Sequence, residues 1–497
     1  METAAAIDRA VCERARLARD ARFDGRFFTG VLTTRIYCRP VCPANPPKPE
    51  NVVFFPSAAA AGEAGFRPCL RCRPECAPGT PAWHGTSTTV RRGLRLIAEG
   101  ALEDDSVERL AERLGVTGRH LRRLFHQHLG ASPLAVAQTQ RLHFAKRLVD
   151  DTDMPMGEIA AASGFGSTRR FNDAFQRTYG RSPRELRRRV GGRTRLGGGA
   201  SYTIELGYRP PCGWQQLTRF AASRAIPGVE SVSGGTWRRT ILAGGEPGVL
   251  EISKAGKRHA LKVSAYGVAT GQLLSVVTRL REMFDLDAPV TDIRRTLARD
   301  AVLKARLGRR PVVRVPGAWD AFELAMRAVL GQQVSVGAAT TLAGRVARRY
   351  GTPLPPELGE QFSRYGLDTV FPQPAALARA RFNNLGIIGS RAATMRRIAA
   401  ALLSGDLAFD AAQDADEFRE SFLAIRGVGP WTAEYVLMRA MKYPDAFPAS
   451  DLGLLRAFDS EGPRLKAREL LERAEAWRPW RAYAAMLLWS TGSDSGG

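Results

Sequence analysis

Four cysteines set the first constraint on this chain. Cys38 and Cys42 form a C-x3-C pair and Cys69 and Cys72 a C-x2-C pair, the spacing with which two turns present four thiolates to one tetrahedral zinc ion. The segment between the pairs must fold back so that both turns face one point. With 7 cysteines in 497 residues, a secreted disulfide framework is not expected. On spacing alone a purely structural zinc site is the first reading; a reactive zinc thiolate needs support from the surrounding residues. Cys12, Cys76 and Cys212 read as ordinary small residues, although Cys76 stands near enough in sequence to compete as a ligand.

A chain this long exceeds what one hydrophobic core serves, and three or four domains are expected. Its 73 Lys and Arg outweigh 49 Asp and Glu for a formal charge of +24, which points to a polyanionic partner, nucleic acid first. No apolar run approaches the roughly 18 residues that spanning a bilayer requires. The start at Met1-Glu2-Thr3 lacks the basic and apolar regions of an export signal, so a cytoplasmic, nucleoid-associated location and no membrane partner are expected. Turn-rich Gly79-Thr80-Pro81 to Thr86-Ser87-Thr88 and glycine-rich Gly191-Gly192 to Gly197-Gly198-Gly199 read as linkers.

Between the linkers, Val107, Leu110, Ala111 and Leu114 follow helical spacing, Gly115 turns the chain, and Leu121, Leu124 and Phe125 begin a second helix. The pattern recurs about fifty residues later with Met156, Ile159 and Ala160, the turn Gly164-Phe165-Gly166, then Phe171 and Phe175. After residue 200, Leu250-Glu251-Ile252-Ser253 and Leu261-Lys262-Val263-Ser264 alternate around Gly256 like a hairpin, predicting a small antiparallel sheet. From about residue 270 alanine- and leucine-rich helices dominate.

Residues 23 to 76, including Phe27-Phe28-Thr29-Gly30-Val31, Thr33-Thr34-Arg35-Ile36-Tyr37-Cys38-Arg39-Pro40 and Gly65-Phe66-Arg67-Pro68-Cys69-Leu70-Arg71-Cys72, resemble the N-terminal domain of the Ada DNA-repair proteins. The resemblance implies one Zn2+ held by Cys38, Cys42, Cys69 and Cys72, with Cys38 also accepting a methyl group from a DNA methylphosphotriester. Zinc keeps a thiolate ionised yet nucleophilic. Arg39 and Arg67 are expected to steer the phosphate. Methylating one of four thiolates takes the site from minus two to minus one and weakens its repulsion of DNA, so damage would tighten binding; a thioether has no easy return, so each molecule reacts once. Pro43-Ala44-Asn45-Pro46 replaces a stretch often more basic in that family.

Residues 90 to 189, ending in Phe175-Gln176-Arg177-Thr178-Tyr179-Gly180-Arg181-Ser182-Pro183, resemble an AraC-type DNA-binding domain. Arg119, Arg122 and Arg123 fall on its first recognition helix and Ser167, Thr168, Arg169, Arg170 and Asn172 on the second, where such side chains reach base edges or phosphates. The competing reading is an arginine-rich solvated face on a plain helical bundle.

Farther on, Ile425-Arg426-Gly427-Val428-Gly429-Pro430-Trp431-Thr432-Ala433 fits a helix-hairpin-helix, in which the Gly427 and Gly429 turn offers backbone N–H groups to a DNA phosphate. Phe447-Pro448-Ala449-Ser450-Asp451-Leu452-Gly453 then places one carboxylate just before an apolar helical run, a position in which an isolated Asp is ordinarily a helix cap. Together with Gln332-Gln333-Val334-Ser335 and Trp477-Arg478-Pro479-Trp480, the region from 201 to 492 resembles the AlkA branch of the helix-hairpin-helix glycosylases, which excise 3-methyladenine. The resemblance implies that Asp451 is catalytic and stabilises a cationic sugar, and that Trp431, Tyr435 and Trp489 stack on a cationic alkylated base; plain core packing is the other reading of these rings. Gln333 takes the place of the side chain that fills the gap left by the flipped nucleotide, often Leu in the family, and Leu452 a place that is Tyr in some relatives. Trp431 stands where bifunctional relatives carry a Schiff-base lysine, so an abasic site and no strand cleavage is expected. A monovalent cation is expected on carbonyls near Ile425 and Val428.

The expected fold is multidomain and mostly α. It comprises a small α/β zinc domain over residues 1 to 82, an all-α double helix-turn-helix domain over 85 to 190, a TBP-like antiparallel α+β subdomain over 200 to 287, and an all-α glycosylase domain over 288 to 492. Expected partners are alkylated and promoter double-stranded DNA and RNA polymerase, bound by a monomer that is both DNA-3-methyladenine glycosylase and methylation-switched activator. Two alternatives stay open: a regulator whose last domain binds lesions without chemistry, and a repair enzyme whose middle domain only adds DNA affinity. The Ada methylguanine-acceptor motif Pro-Cys-His-Arg is absent, and Cys212 sits in Pro211-Cys212-Gly213, so reversal of O6-methylguanine is not expected.

Overall fold

Two short strands running parallel bring the cysteine pairs together. In the computed structural model, which describes residues 8–78, 88–98, 100–102, 105–152, 154–187, 201–256, 259–309, 313–410, 413–459 and 465–489, β1 (Phe28–Val31), β2 (Ile36–Cys38), β3 (Val52–Phe55) and β4 (Arg67–Pro68) form a sheet in the order β3-β1-β2-β4. β1 is antiparallel to both neighbours, whereas β2 and β4 pair in parallel with Ile36 opposite Arg67 and Tyr37 opposite Pro68. One residue beyond each, Cys38 and Cys69 therefore emerge side by side. Phe28, Tyr37, Ala58, Ala61 and Phe66 fill the small core behind them. Most of each predicted linker, 79 to 87 and 191 to 199, lies outside the described residues.

By internal packing the chain divides into two units, Met1–Pro210 with Ala255–Arg281 and Leu286–Ala288, and Pro211–Lys254 with Glu282–Asp285 and Pro289–Gly497. In the first, the duplication predicted from sequence is an offset of fifty residues. Thr117 caps the helix Gly118–Leu129 and Ser167 caps Thr168–Tyr179 through the same side-chain-to-backbone bond. Leu121, Phe125 and Leu129 face the core of one repeat as Phe171, Phe175 and Tyr179 face that of the other.

The helix Pro133–Asp151 joins the repeats and also receives the zinc module. Lys146 Nζ lies 2.6 Å from Asp150 and 3.7 Å from Glu75, and Arg73 lies 3.1 Å from the same Asp150 carboxylate. Lys146 and Asp150 are each 2% exposed, so these charges depend on one another for solvation they have lost. Beside them the Tyr37 hydroxyl and His143 Nε2 are 3.0 Å apart. Burial first, then Arg147 and Lys146, pushes His143 down to about 3, so the ring is neutral at physiological pH.

Strand β5 (Ser201–Gly207) pairs antiparallel with Ala260–Tyr266 in the first unit, and Glu230–Ser233, Thr236–Ala243 and Glu246–Lys254 form an antiparallel meander in the second. The predicted alternation is present, with Leu250, Ile252, Leu261 and Val263 buried. Helices then dominate to Trp489, as the sequence pattern predicts; Ala321–Leu330 packs on Pro430–Arg439, and Arg481–Trp489 on Leu452–Arg456.

Lys146→Ala leaves Asp150 and Glu75 buried with reduced compensation and is expected to cost about 3–5 kcal/mol, read as a lowered urea midpoint. His143 should also make the first unit acid-sensitive. An unfolded histidine takes up its proton near pH 6.5, whereas the folded one does so near 3, so stability is full above about 6.5 and falls as pH drops toward 3. His143→Gln should flatten that part of the profile in pH-dependent denaturation.

Candidate functional sites

Cys38 leaves β2, and Cys42 follows in a turn closed by its own N–H on the Arg39 carbonyl at 3.1 Å. Cys69 donates its N–H to the Tyr37 carbonyl at 3.0 Å, and Cys72 completes the second turn. The four sulfurs lie within 4.8 Å of one another, and Cys76 is not among them. Hydrogen bonds shared within the quartet split their acidities: Cys38 pulls Cys42 down to about 7 and Cys69 lower still, while Cys38 and Cys72 are pushed up. Such a donor set fits a divalent cation of thiophilic character, because four thiolates at this distance need one to be ionised together. Cys69 and Cys72 are buried, whereas Cys38 and Cys42 are half-exposed, leaving Cys38 open to a reactant.

Arg39 and Arg67 part company. Arg39 turns inward, its Nε donating to Asp24 at 2.8 Å, its Nη1 to the Cys72 carbonyl at 3.0 Å and its backbone N–H to Cys72 Sγ at 3.3 Å. It braces the cysteine cluster. Arg67 is exposed, and with Arg170 and Arg177 it lines a cleft of about 860 Å³ between the sheet edge and the second recognition helix. Arg119, Arg122, Arg123 and Arg169 are likewise exposed on the recognition helices. Of these, Arg122 leans on Glu108 at 2.6 Å and Arg123 on His120 at 3.1 Å.

In the second unit the hairpin and the carboxylate meet. Gly427 turns at φ 101°, and a Cβ there would stand 1.9 Å from Thr394 Oγ1, so only glycine fits. Val428 is buried beneath the turn, and no protein acceptor takes the N–H groups of Gly427 or Gly429 among the described residues. The helix Pro430–Arg439 then carries Trp431 and Tyr435, stacked with centroids 5.0 Å apart and planes 13° apart.

Trp431 Nε1 donates to Asp451 Oδ2 at 2.7 Å, and Trp489 Nε1 donates to Oδ1 at 2.8 Å. Oδ1 also caps the helix Leu452–Arg456 by accepting from Leu454 N–H at 3.0 Å. The capping and functional readings of Asp451 thus describe one geometry. Gly453 makes room for it, since a Cβ there would stand 2.9 Å from Oδ1.

Asp451 opens onto a cavity of about 640 Å³, lined by Trp431, Tyr435, Trp489 and Gln333 among others. Gln333 sits at its mouth, exposed and at φ 56°, in strained backbone that projects a side chain from the loop. Leu452 is 61% exposed beside it. Sequence reading missed the floor: Phe220, Arg224 and Arg327 also line the cavity. Arg327 is held by Glu230 at 3.1 Å and Glu323 at 3.4 Å. Only the placing of Glu323 and Arg327 one helical turn apart hints at this in sequence.

A mostly helical, DNA-binding chain with a four-cysteine zinc module, a double helix-turn-helix and a helix-hairpin-helix pocket is a regulator of the AraC type joined to a DNA glycosylase. Residues 11–75 match the metal-binding domain of Ada, 110–189 a helix-turn-helix domain and 203–320 the AlkA N-terminal domain. The chain is 40% identical to a probable bifunctional transcriptional activator/DNA repair enzyme AlkA of Mycobacterium tuberculosis, over 97% of this chain and 96% of that one. It is 31% identical to DNA-3-methyladenine glycosylase 2 of Escherichia coli, over 58% of this chain and 96% of the relative. The fold matches that of a 3-methyladenine DNA glycosylase from Archaeoglobus fulgidus with a TM-score of 0.50 at 24% identity, covering 60% of this chain and all of the other. The chain belongs to the bifunctional Ada–AlkA family.

Gly427→Ala is expected to lower the melting temperature and weaken duplex DNA binding together, because the added methyl group displaces Thr394 or unwinds the turn. Calorimetry and fluorescence anisotropy on the same preparation check both.

Proposed function

We propose that the chain answers DNA alkylation with two separate chemistries: hydrolytic release of alkylated purines such as 3-methyladenine at Asp451, and transfer of a methyl group from a DNA methylphosphotriester to Cys38. The observation that carries the first is a carboxylate aimed by two indole N–H donors beside an aromatic cavity. A flipped base would stack on Trp431, Tyr435 and Trp489 while Gln333 fills the space it leaves. Asp451, fixed by these donors, stabilises positive charge growing on the sugar and orients water toward C1′. No lysine stands at Trp431, so the product is an abasic site in an unbroken strand. A purely lesion-binding domain would have no use for an acid aimed in this way.

At the other site the Cys38 sulfur attacks the methyl carbon, the carbon–oxygen bond breaks, and its electron pair restores the phosphodiester anion. When bound to the four cysteines, zinc supplies the positive charge that keeps the sulfur ionised at neutral pH. Arg67 is exposed to meet the phosphate, and Arg39 positions Cys72 rather than DNA. The methylated site carries one negative charge fewer, which strengthens DNA binding by Arg119, Arg122, Arg123, Arg169 and Arg170 and turns the protein into an activator that recruits RNA polymerase.

The modules proposed are 1 to 82, 85 to 190, 200 to 287 and 288 to 492, in a monomer located with the nucleoid in the cytoplasm; no described helix is long and apolar enough to cross a membrane. Gly427 and Gly429 would grip a phosphate, with a monovalent cation on the carbonyls near Ile425 and Val428.

Methylated duplex DNA tests both chemistries at once. Asp451→Asn should reduce release of methylated purine by about a hundredfold or more while methyl label still reaches the protein; Cys38→Ala should abolish transfer and leave base release intact. If either substitution leaves its own assay unchanged, the corresponding assignment fails.

A further inference from the structure

A residue from outside the zinc module reaches into it. The last residue of β5, Gly207, comes so close to the module that a Cβ there would stand 2.7 Å from the Cys76 carbonyl oxygen. Two residues on, Arg209 turns inward and is 2% exposed. Its Nε donates to the Asp24 carbonyl at 3.0 Å and its Nη1 to the Asp287 carbonyl. Arg281 fixes the same strand end, with Nη1 on the Gly207 carbonyl at 3.1 Å and Nε on the Asp287 carboxylate at 3.0 Å. Asp24 lies in the stretch that matches the metal-binding domain of Ada, and Arg209 in the stretch that matches the AlkA N-terminal domain. Burying a guanidinium is costly, and two of the donors it keeps go to carbonyls that set where two loops lie.

The Asp24 loop has little room to move. Gly25 turns at φ 73°, and a Cβ there would stand 2.0 Å from the Pro78 carbonyl oxygen and 3.2 Å from the Arg209 guanidinium, so only glycine fits against both. With its carbonyl held by Arg209, Asp24 offers its carboxylate to Arg39, whose Nη1 and backbone N–H reach the carbonyl and the sulfur of Cys72. Arg39 directly follows Cys38. Asp24 is thus the middle of a series of contacts that runs from the AlkA-type segment to the backbone carrying the Cys38 sulfur. A sulfur that must meet a methyl carbon opposite its leaving oxygen tolerates little displacement; an error of about 1 Å costs on the order of a hundredfold in rate.

We infer that Arg209 is a positioning residue for methyl transfer at Cys38, so that the AlkA-type region supplies part of the methyl-acceptor site. It acts through Asp24 and Arg39 and touches neither sulfur nor methyl group. The step itself is unchanged: the sulfur's electron pair forms the sulfur–carbon bond, the carbon–oxygen pair stays with the phosphate oxygen, and no proton moves. The inference rests on the methyl-transfer reading of Cys38.

Single-turnover transfer from a duplex carrying one labelled methylphosphotriester to the full zinc-loaded chain tests it. Arg209→Met keeps the bulk and removes the donors. Its maximal rate should fall about tenfold, the worth of one hydrogen bond, while the protein concentration at half-saturation stays as in wild type, because the exposed arginines that meet DNA are untouched. A loss of folded protein would lower the amplitude rather than the rate. Cobalt in place of zinc gives a readout independent of transfer: the thiolate-to-cobalt absorption bands of Arg209→Met should shift from those of wild type. Asp24→Asn should slow transfer in the same way, and the double variant should be no slower than the slower single one, as for residues that act in series. If Arg209→Met does not fold, Arg209→Lys, which keeps the charge and loses the fork, should show the same split at about threefold, roughly half that free energy. A wild-type maximal rate in the folded variant, a cost seen only at half-saturation, unshifted cobalt bands, or losses that multiply in the double variant would overturn the inference alone. Absence of transfer by wild type would instead overturn the reading of Cys38.

Discussion

The grip of two indole N–H groups on one carboxylate organises the second unit. For Trp431 to reach Asp451 Oδ2, the helix Pro430–Arg439 must begin directly after the hairpin, and the hairpin must turn at Gly427. For Trp489 to reach Oδ1, the last described helix must pack against Leu452–Arg456. The Leu454 amide takes the remaining direction of Oδ1. A carboxylate accepting three hydrogen bonds has little freedom to rotate, and in the base release proposed above that fixed position is what would steady a short-lived cationic sugar. The same three donors satisfy a helix terminus and two half-buried indoles, which would otherwise carry unpaired N–H groups. The helix cap and the proposed chemistry therefore draw on the same arrangement.

A comparable economy operates in the first unit. Arg39 follows a zinc-type cysteine and ties it to both Asp24 and the Cys72 turn, while Arg73, just after Cys72, reaches the buried carboxylate of Asp150 on the helix that joins the two helix-turn-helix repeats. A shift in the second cysteine turn is thus felt by Asp150 and Lys146 within a few bonds. Buried ion pairs resist partial breaking, since each partner is costly to leave alone. The zinc module is therefore tied by buried ion pairs to the helix that joins the two helix-turn-helix repeats.

What the sequence made legible was local. Each cysteine pair, each half of the fifty-residue repeat, the hairpin glycines and the Asp451 segment is a short run of neighbouring residues, and periodicity or turn chemistry is enough to read it. The pairing of β2 with β4 was not legible, because nothing in Ile36-Tyr37 or Arg67-Pro68 specifies a parallel partner. The cavity floor was equally hidden. Phe220, Arg224, Arg327 and Arg439 come from distant segments and look like ordinary amphipathic helix positions until the chain folds. Arg39 shows the other limit: beside a cysteine proposed to be reactive it reads as a phosphate ligand, and only the position of Asp24 reveals that it faces inward.

The formal charge of +24 is likewise a poor map of where DNA is held. Arg209, Arg239, Arg314, Arg391 and Arg439 are each under 10% exposed and spend their donors on carbonyls and carboxylates of the protein itself. At Arg209 burial is strong enough to pull the guanidinium down to about 10. Such groups add to the total without adding to the field that a duplex meets at the surface. Among the described residues, exposed arginines remain on the two recognition helices and around Arg67, but also elsewhere, as at Arg348, Arg349, Arg364 and Arg468, and only such exposed groups shape the long-range field a polyanion meets. Arginine suits both uses because its flat fork can satisfy several backbone carbonyls when buried and a phosphate when exposed. The excess of Arg in this chain thus reflects an internal scaffold as much as an affinity for nucleic acid.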